Sequence, residues 1–309
     1  MRAIPIENVF DDPRAIRRLV ERHSPYRALA SYLPVSATRG DREASAANGG
    51  TLPWFRSTWA ANGKPLVEGA ELILNHPRFR EAASQLFDDA EVVPNTIAIN
   101  VNAPMPAGGV HVDIPSFRGA ARDRYPIQLL QAMGSSGLFE PWRIVEAGAV
   151  VWFYEGAGGE YEYWPDGLSG AKQSVSAPLT NRALVADNDR MYHRIGWVGE
   201  PNAKMPAISP LAQIAHNSAR GWVISDGGRE VRCYPDQQIR ISILWKGGIK
   251  AGGGRTDDEQ LSAERIAQIF QTDLAARGVA ADAQGSPLSD QAWLDLVHSI
   301  YYSPVELRE

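Results

Sequence analysis

A single cysteine, Cys233, in 309 residues excludes an internal disulfide framework and a cysteine-rich zinc site. Charge of one sign is also scarce. The net charge is −5, and no basic run extends beyond a few residues, so the electrostatic footprint of a nucleic-acid binder is missing. No stretch approaches the roughly 20 apolar residues that a membrane helix needs. Met1-Arg2-Ala3-Ile4-Pro5-Ile6-Glu7 has no long apolar core and is soon followed by Asp11-Asp12, which does not read as a signal peptide. A soluble cytoplasmic protein is expected. No Gly-x-Gly-x-x-Gly opens a helix after a strand, no phosphate-binding loop ends in Gly-Lys-Ser/Thr, and no internal repeat is visible. What is present is a 44% hydrophobic share with 9 Trp, 10 Tyr and 8 Phe, ample for a sizeable core.

Helical patterns gather at the two ends of the chain and strand patterns in the middle. Asp11 or Asp12 can cap a helix with Pro13 at its first position and Ile16, Leu19 and Val20 on one face. Ser36–Gly50 is polar and reads as a mobile loop. Further helical pieces fall around Leu66–Leu74 and Arg78–Phe87, broken at Pro77. From about Val92 the chain turns to short strand-like runs: Ile97–Asn102, Ala149–Tyr154, Tyr161–Trp164, Ala183–Ala186, Trp222–Ser225 and Gln238–Trp245, with one helix near Ile127–Met133. Gly156-Ala157-Gly158-Gly159 reads as a hairpin turn. Beyond the Gly-rich Gly247–Gly254, Ser262 can cap a helix through Ile266, Ile269, Phe270 and Leu274, with Gly278 past its end. Ser289 can cap another through Trp293, Leu294 and Val297. The fold expected is mainly β with flanking helices, a β-sandwich or jelly-roll core. We expect one catalytic domain over 1–309, with a helical N-terminal part at 1–91, a core at 92–247 and C-terminal helices at 255–309.

His111-Val112-Asp113 says little alone, but it follows a strand-like run and the turn-rich Pro104–Gly109. A strand period of two puts His111 and Asp113 on one face. With His193 as third ligand, two imidazoles and a carboxylate would leave open positions on a metal, the arrangement of non-haem ferrous oxygenases. Arg240-Ile241-Ser242 lies within an apolar run. Arg240, Ser242 and Leu244 share one strand face; Ile239, Ile241, Ile243 and Trp245 share the other. An Arg on so apolar a strand is costly to bury without an anionic partner, which could equally be a protein carboxylate.

Taken together, these residues resemble the iron(II)/2-oxoglutarate-dependent oxygenase superfamily, over roughly residues 92–247. Its His-x-Asp/Glu is matched by His111-Val112-Asp113, its second His by His193, 82 residues on, and its late-strand Arg-x-Ser by Arg240-Ile241-Ser242. The resemblance implies a double-stranded β-helix core of jelly-roll, cupin-like type, with ferrous iron at His111, Asp113 and His193. It also implies 2-oxoglutarate as cosubstrate, its distal carboxylate anchored by Arg240 and Ser242. Dioxygen and a small-molecule substrate would then react, with hydroxylation of an unactivated C–H bond as the default outcome. Asp113 fills the position that is a small residue in the family's halogenases, so oxygenation is expected and not halogenation. One departure stands out. His193 and Arg240 are 47 residues apart, where ten to fifteen is usual in the family. We read 199–220, with Pro201, Pro206, Pro210 and a helix-like Leu211–Ala219, as an insertion.

Arg182, Arg190, Arg194 and Arg220 are the alternative anchors nearest the motif. Of the remaining histidines, His23 belongs at a helix end, His76 in a turn, His216 in the insertion at the surface and His298 in a C-terminal helix. Cys233 is a small filler or a mildly exposed thiol. Two rivals to the oxygenase remain: a cupin-type metalloenzyme that uses no 2-oxo acid, and a non-catalytic jelly-roll binding protein.

Overall fold

The structure, a computed structural model, describes residues 1–32, 51–201, 204–250, 260–279 and 289–302; the expected loop Ser36–Gly50 lies outside them. The chain divides into two compact units. One is Met1–His111 with Glu146–Lys250, the other Val112–Val145 with Ala251–Glu309.

The first unit opens with β1 (Ala3–Ile6) and α1 (Pro13–Arg22). Asp12 caps α1 by accepting from the Ala15 N–H, Pro13 sits in its first turn, and Ile16, Leu19 and Val20 are buried, as the sequence pattern requires. Then come β2 (Tyr26–Ala28), β3 (Trp54–Ala61), β4 (Lys64–Pro65), the single turn α2 (Glu71–Leu74), α3 (Pro77–Leu86) and β5 (Val92–Asn102). Among the described residues, the segment 1–91 carries four strands beside its three α-helices, which corrects the purely helical expectation for it. Its short strands gain their pairing from distant partners, β1 from β9 and β2 from β11, that no local pattern announces. Nine further strands complete the unit: β6 (Glu146–Tyr154), β7 (Tyr161–Trp164), β8 (Gln173–Val175), β9 (Leu179–Ala186), β10 (Tyr192–Ile195), β11 (Gln213–Asn217), β12 (Gly221–Asp226), β13 (Arg229–Tyr234) and β14 (Arg240–Ile249).

These strands form two sheets. The larger runs β1-β9-β6-β14-β5-β3-β2-β11-β12-β13, with β4 on β3. The smaller runs β10-β7-β8, and His111 adds a rung to it through an antiparallel bridge with His193. Along the chain the course alternates between sheets: β5 in the large, His111 against the small, β6 large, β7 and β8 small, β9 large, β10 small, β14 large. That alternation is the winding of a jelly-roll, so the mainly β fold with a jelly-roll core and flanking helices is what the chain forms. Two corrections follow. Gly156–Gly159 is a crossover between sheets and not a hairpin turn, because β6 pairs with β9 and β14 while β7 pairs with β8 and β10. The segment expected as helix at Leu211–Ala219 is strand β11, the start of a three-stranded meander that extends the large sheet beyond β2.

The large sheet has two unlike faces. Phe55, Ile97, Ile99, Val101, Ala149, Val151, Phe153, Val185, Ile241, Ile243 and Trp245 belong to one buried apolar cluster with residues of α1 and α3. Register puts Asn100, Asn102, Arg240, Ser242 and Trp152 on the opposite face, since Arg240 pairs with Asn102, and Ser242 with Asn100 and Trp152.

The second unit holds α4 (Ile127–Ser136), α5 (Ala263–Ala276) and α6 (Gln291–Tyr301). Ile127, Leu129, Leu130, Ala132 and Met133 of α4 are buried, and Gly137 closes the helix in the left-handed conformation. Phe139, Phe270 and Tyr301 interlock with ring centroids 4.9 and 5.0 Å apart. Gly119, at φ +85, lies against the Leu261 backbone so closely that a Cβ would stand 2.5 Å from its nitrogen. Ser262 caps α5 as expected, but α6 is capped by Asp290, one residue after Ser289, because its carboxylate reaches the Trp293 N–H. Among the described residues, no helix is long and apolar enough to cross a membrane.

Candidate metal centre

His111 and His193 face each other across the bridge, exchanging both backbone bonds: His111 N–H to His193 O at 3.1 Å and His193 N–H to His111 O at 2.9 Å. Their rings are thereby brought to 4.5 Å between centroids. Each ring is then oriented in the same way. His111 Nδ1 donates to Gly109 O at 2.8 Å, and His193 Nδ1 donates to Met191 O at 2.9 Å. A carbonyl can only accept, so the neutral ring carries its proton on Nδ1 and its lone pair on Nε2. This is how metal-binding histidines are held by their surroundings.

Asp113 completes the group: one ligand atom from each of His111, Asp113 and His193 lies within 4.8 Å of the others. The sequence expected a continuous strand to align His111 with Asp113. Only His111 bridges, and the chain from Val112 on is irregular. The grouping survives because two residues of any extended course bring a carboxylate back to the same side. The donor set of two neutral imidazoles and one carboxylate suits ferrous iron and leaves coordination positions open. His193 is buried, and the Tyr161 ring stacks on it at 5.5 Å and 26°. Sequence reasoning did not single out Tyr161 for this place beside the group. Arg122 was also missed; it lies near enough to Asp113 for the two charges to interact.

Arg240 is 1% exposed and sits at the start of β14. Its Nε donates to Gly159 O at 2.8 Å, in the crossover between sheets. Gly159 has φ +74, and a Cβ there would stand 2.7 Å from the Tyr154 ring and 3.1 Å from Arg240 Cδ, so the position takes only glycine. Among the described residues, no carboxylate forms an ion pair with Arg240. Burial pulls its pKa down to about 9, opposed by the nearby Tyr154, Tyr161 and Glu160. A guanidinium keeps its proton at neutral pH, so that shift expresses the cost of burying the charge. The four alternative anchors differ on this point. Arg182 pairs with Glu7, Arg190 with Asp187, Arg194 with Glu162 and Arg220 with Glu230. Ser242 is buried two residues along the same face.

A second group, Glu21, His216 and Asp236, also draws its ligand atoms within 4.8 Å. Here a cation is built in: Arg17 donates to Glu21 at 3.0 Å and to Asp236 O at 3.1 Å, while His216 Nε2 meets Asp236 at 3.2 Å. Its role is to tie α1 to the meander and to the turn before β14. His216, expected at the surface, is thus half-buried in a structural network.

No family model matches this chain, and no curated protein matches it. Solved structures do. An oxidoreductase of the 2OG-Fe(II) oxygenase family from Burkholderia pseudomallei aligns at 12% identity over 80% of this chain and 84% of its own, with a TM-score of 0.41. A prolyl-4-hydroxylase from Pseudomonas putida aligns at 14% identity over 81% and 93%, TM-score 0.38. A prolyl 4-hydroxylase from Phytophthora capsici aligns at 14% identity over 98% and 70%, TM-score 0.33. Superpositions this loose carry no residue role over to this chain.

Proposed function

We propose that this chain is an iron(II)- and 2-oxoglutarate-dependent dioxygenase that hydroxylates an unactivated C–H bond of a small metabolite, such as an amino acid or a natural-product intermediate. The observation that carries this reading is the pair of opposed histidines, each fixed with Nε2 as its lone-pair nitrogen, gathered with Asp113. Ferrous iron with 2-oxoglutarate and dioxygen would supply an oxidant able to remove hydrogen from carbon. His111 and His193 offer neutral nitrogen ligands, and Asp113 brings one negative charge. Arg240 and Ser242 would hold the distal carboxylate of the cosubstrate, Arg240 through the planar fork that suits a carboxylate. Ferrous ion, Asp113, the doubly charged cosubstrate and Arg240 sum to zero formal charge, which favours their joint burial. The jelly-roll stretch 92–247 is then the catalytic core, and 199–220 an insertion within it.

A cupin-type enzyme without a 2-oxo acid would have no use for Arg240 as it stands, buried and without a carboxylate partner among the described residues. Succinate release separates the two. Anaerobically purified protein, loaded with ferrous iron and given 2-oxoglutarate and oxygen, should form succinate in an iron-dependent way, with stimulation by a matching substrate from a metabolite panel. Iron binding without any succinate would sink this reading and leave the cupin one.

A further inference from the structure

Two buried polar atoms on the strands that flank Arg240 and Ser242 have no hydrogen-bond partner among the described residues: Trp152 Nε1 and Asn102 Oδ1. Both side chains are 0% exposed. The Asn102 amide has one weak contact, from Nδ2 to Met105 Sδ at 3.7 Å. Leaving a buried donor or acceptor unsatisfied is disfavoured, so native proteins hold few, and those that persist call for a cause. Placement supplies one here. Trp152 stands beside Ser242 in register, and Asn102 stands beside Arg240. Tyr161 packs its ring 5.4 Å from Trp152 and 5.5 Å from His193, linking Trp152 to the metal side as well. The Trp152 ring is therefore flanked by Ser242, on the strand of the buried guanidinium, and by Tyr161, which stacks on His193. An indole N–H can only donate, so the partner it lacks must be an acceptor.

We infer that the Trp152 indole N–H donates to a carboxylate oxygen of the 2-oxo acid held between His193 and Arg240, and so helps select that cosubstrate. The inference rests on the cosubstrate reading above. Trp152 acts by positioning: no proton leaves it, and the ring stays packed against Tyr161. Trp222 and Trp293 also carry buried indole nitrogens without a partner among the described residues. Trp222 packs against Tyr26 and His216, on no strand that bears a candidate ligand, and so serves as the control for the same chemistry elsewhere.

The test uses the full chain loaded with zinc in place of iron, which binds but does not turn over, and 2-oxoglutarate as the probe. Calorimetric titration of wild type, Trp152→Phe and Trp222→Phe gives the affinities. A hydrogen bond to a charged group corresponds to an affinity loss of about tenfold to a hundredfold, expected for Trp152→Phe. Trp222→Phe should change affinity by less than about twofold. A second readout needs no variant to bind: in wild type labelled with 15N at the indoles, the Trp152 resonance should move downfield on adding 2-oxoglutarate while that of Trp222 stays. Wild type that binds 2-oxoglutarate with the Trp152 resonance unmoved and Trp152→Phe at full affinity overturns the inference alone. Wild type that binds no 2-oxoglutarate overturns both it and the proposed function.

Discussion

The two faces of strand β14 are built to different rules. On one, Ile241, Ile243 and Trp245 are buried among Ile99, Val101, Val151 and Phe153, and Trp245 Nε1 finds the Leu74 carbonyl at 2.9 Å. The one polar side-chain atom among these three β14 residues is satisfied, and the face is built for packing. On the other, Arg240 and Ser242 face Asn100, Asn102 and Trp152, where a charge is buried and two polar atoms stay unpaired. On the proposed function the contrast separates packing from ligand binding within one strand: residues one position apart should give opposite phenotypes.

The largest break falls at the candidate metal group. His111→Ala and His193→Ala should abolish iron binding and turnover while the far-ultraviolet circular dichroism stays that of wild type. Iron analysis of anaerobic protein checks this; wild-type occupancy in both variants would remove the metal assignment. Arg240→Met comes next. It should weaken 2-oxoglutarate binding by a factor of roughly a hundred or more, since losing one partner of a buried charge pair costs about 3–5 kcal/mol. In ligand-free protein the sign reverses, because the variant removes a buried charge that no carboxylate partners among the described residues. Denaturant titration should find it more stable by about 1–3 kcal/mol. A destabilised ligand-free variant would show that Arg240 is a structural residue.

Ile243→Ala sharpens the comparison from the apolar side. A cavity there should lower stability by about 2–4 kcal/mol, with 2-oxoglutarate affinity nearly unchanged. Weakened ligand binding at intact fold would mean that the faces are not independent. The smallest effect belongs to Glu162, on the three-stranded sheet and away from both faces. Burial pushes its carboxyl up, but hydrogen bonds from Lys172 and Arg194 prevail and hold it below the ordinary glutamate range. An acid depressed in the fold adds stability above its unfolded pKa, near 4.5, and loses it as pH falls through the folded value. Glu162→Gln should therefore cost about 1 kcal/mol at pH 7 and almost nothing well below pH 4, by urea titration at each pH.

How much of this was legible follows from how local each signal is. The alternation Arg240-Ile241-Ser242-Ile243 names its two faces outright, since each residue type suits the side it occupies. The caps of α1 and α5 were equally plain, because Asp12 and Ser262 bond within their own first turns. What stayed hidden depends on partners far along the chain. Tyr192–Ile195 is too short to display a period, and its place is set by pairing with Tyr161–Trp164. Arg229–Tyr234 lies at a sheet edge, exposed over its first four residues, and so carries no apolar alternation. At Gly156–Gly159 the glycines announce a change of direction but not its destination, and a hairpin and a change of sheet look alike in sequence. His111, Asp113 and His193 were readable as residue types in order. The backbone bonds that turn both imidazoles were not, because Gly109 and Met191 contribute only carbonyls.

The meander between His193 and Arg240 attaches to the far side of β2, while both of those residues keep their places in the winding. Closing a loop grows more expensive only slowly, by about 0.6 kcal/mol for each doubling of its length. Separation along the chain is thus a poor ruler for separation in the site, and this gap is a natural splice point. A different module could be exchanged between Ile195 and Arg240, altering what the protein meets at its periphery without disturbing the candidate ligands at its centre.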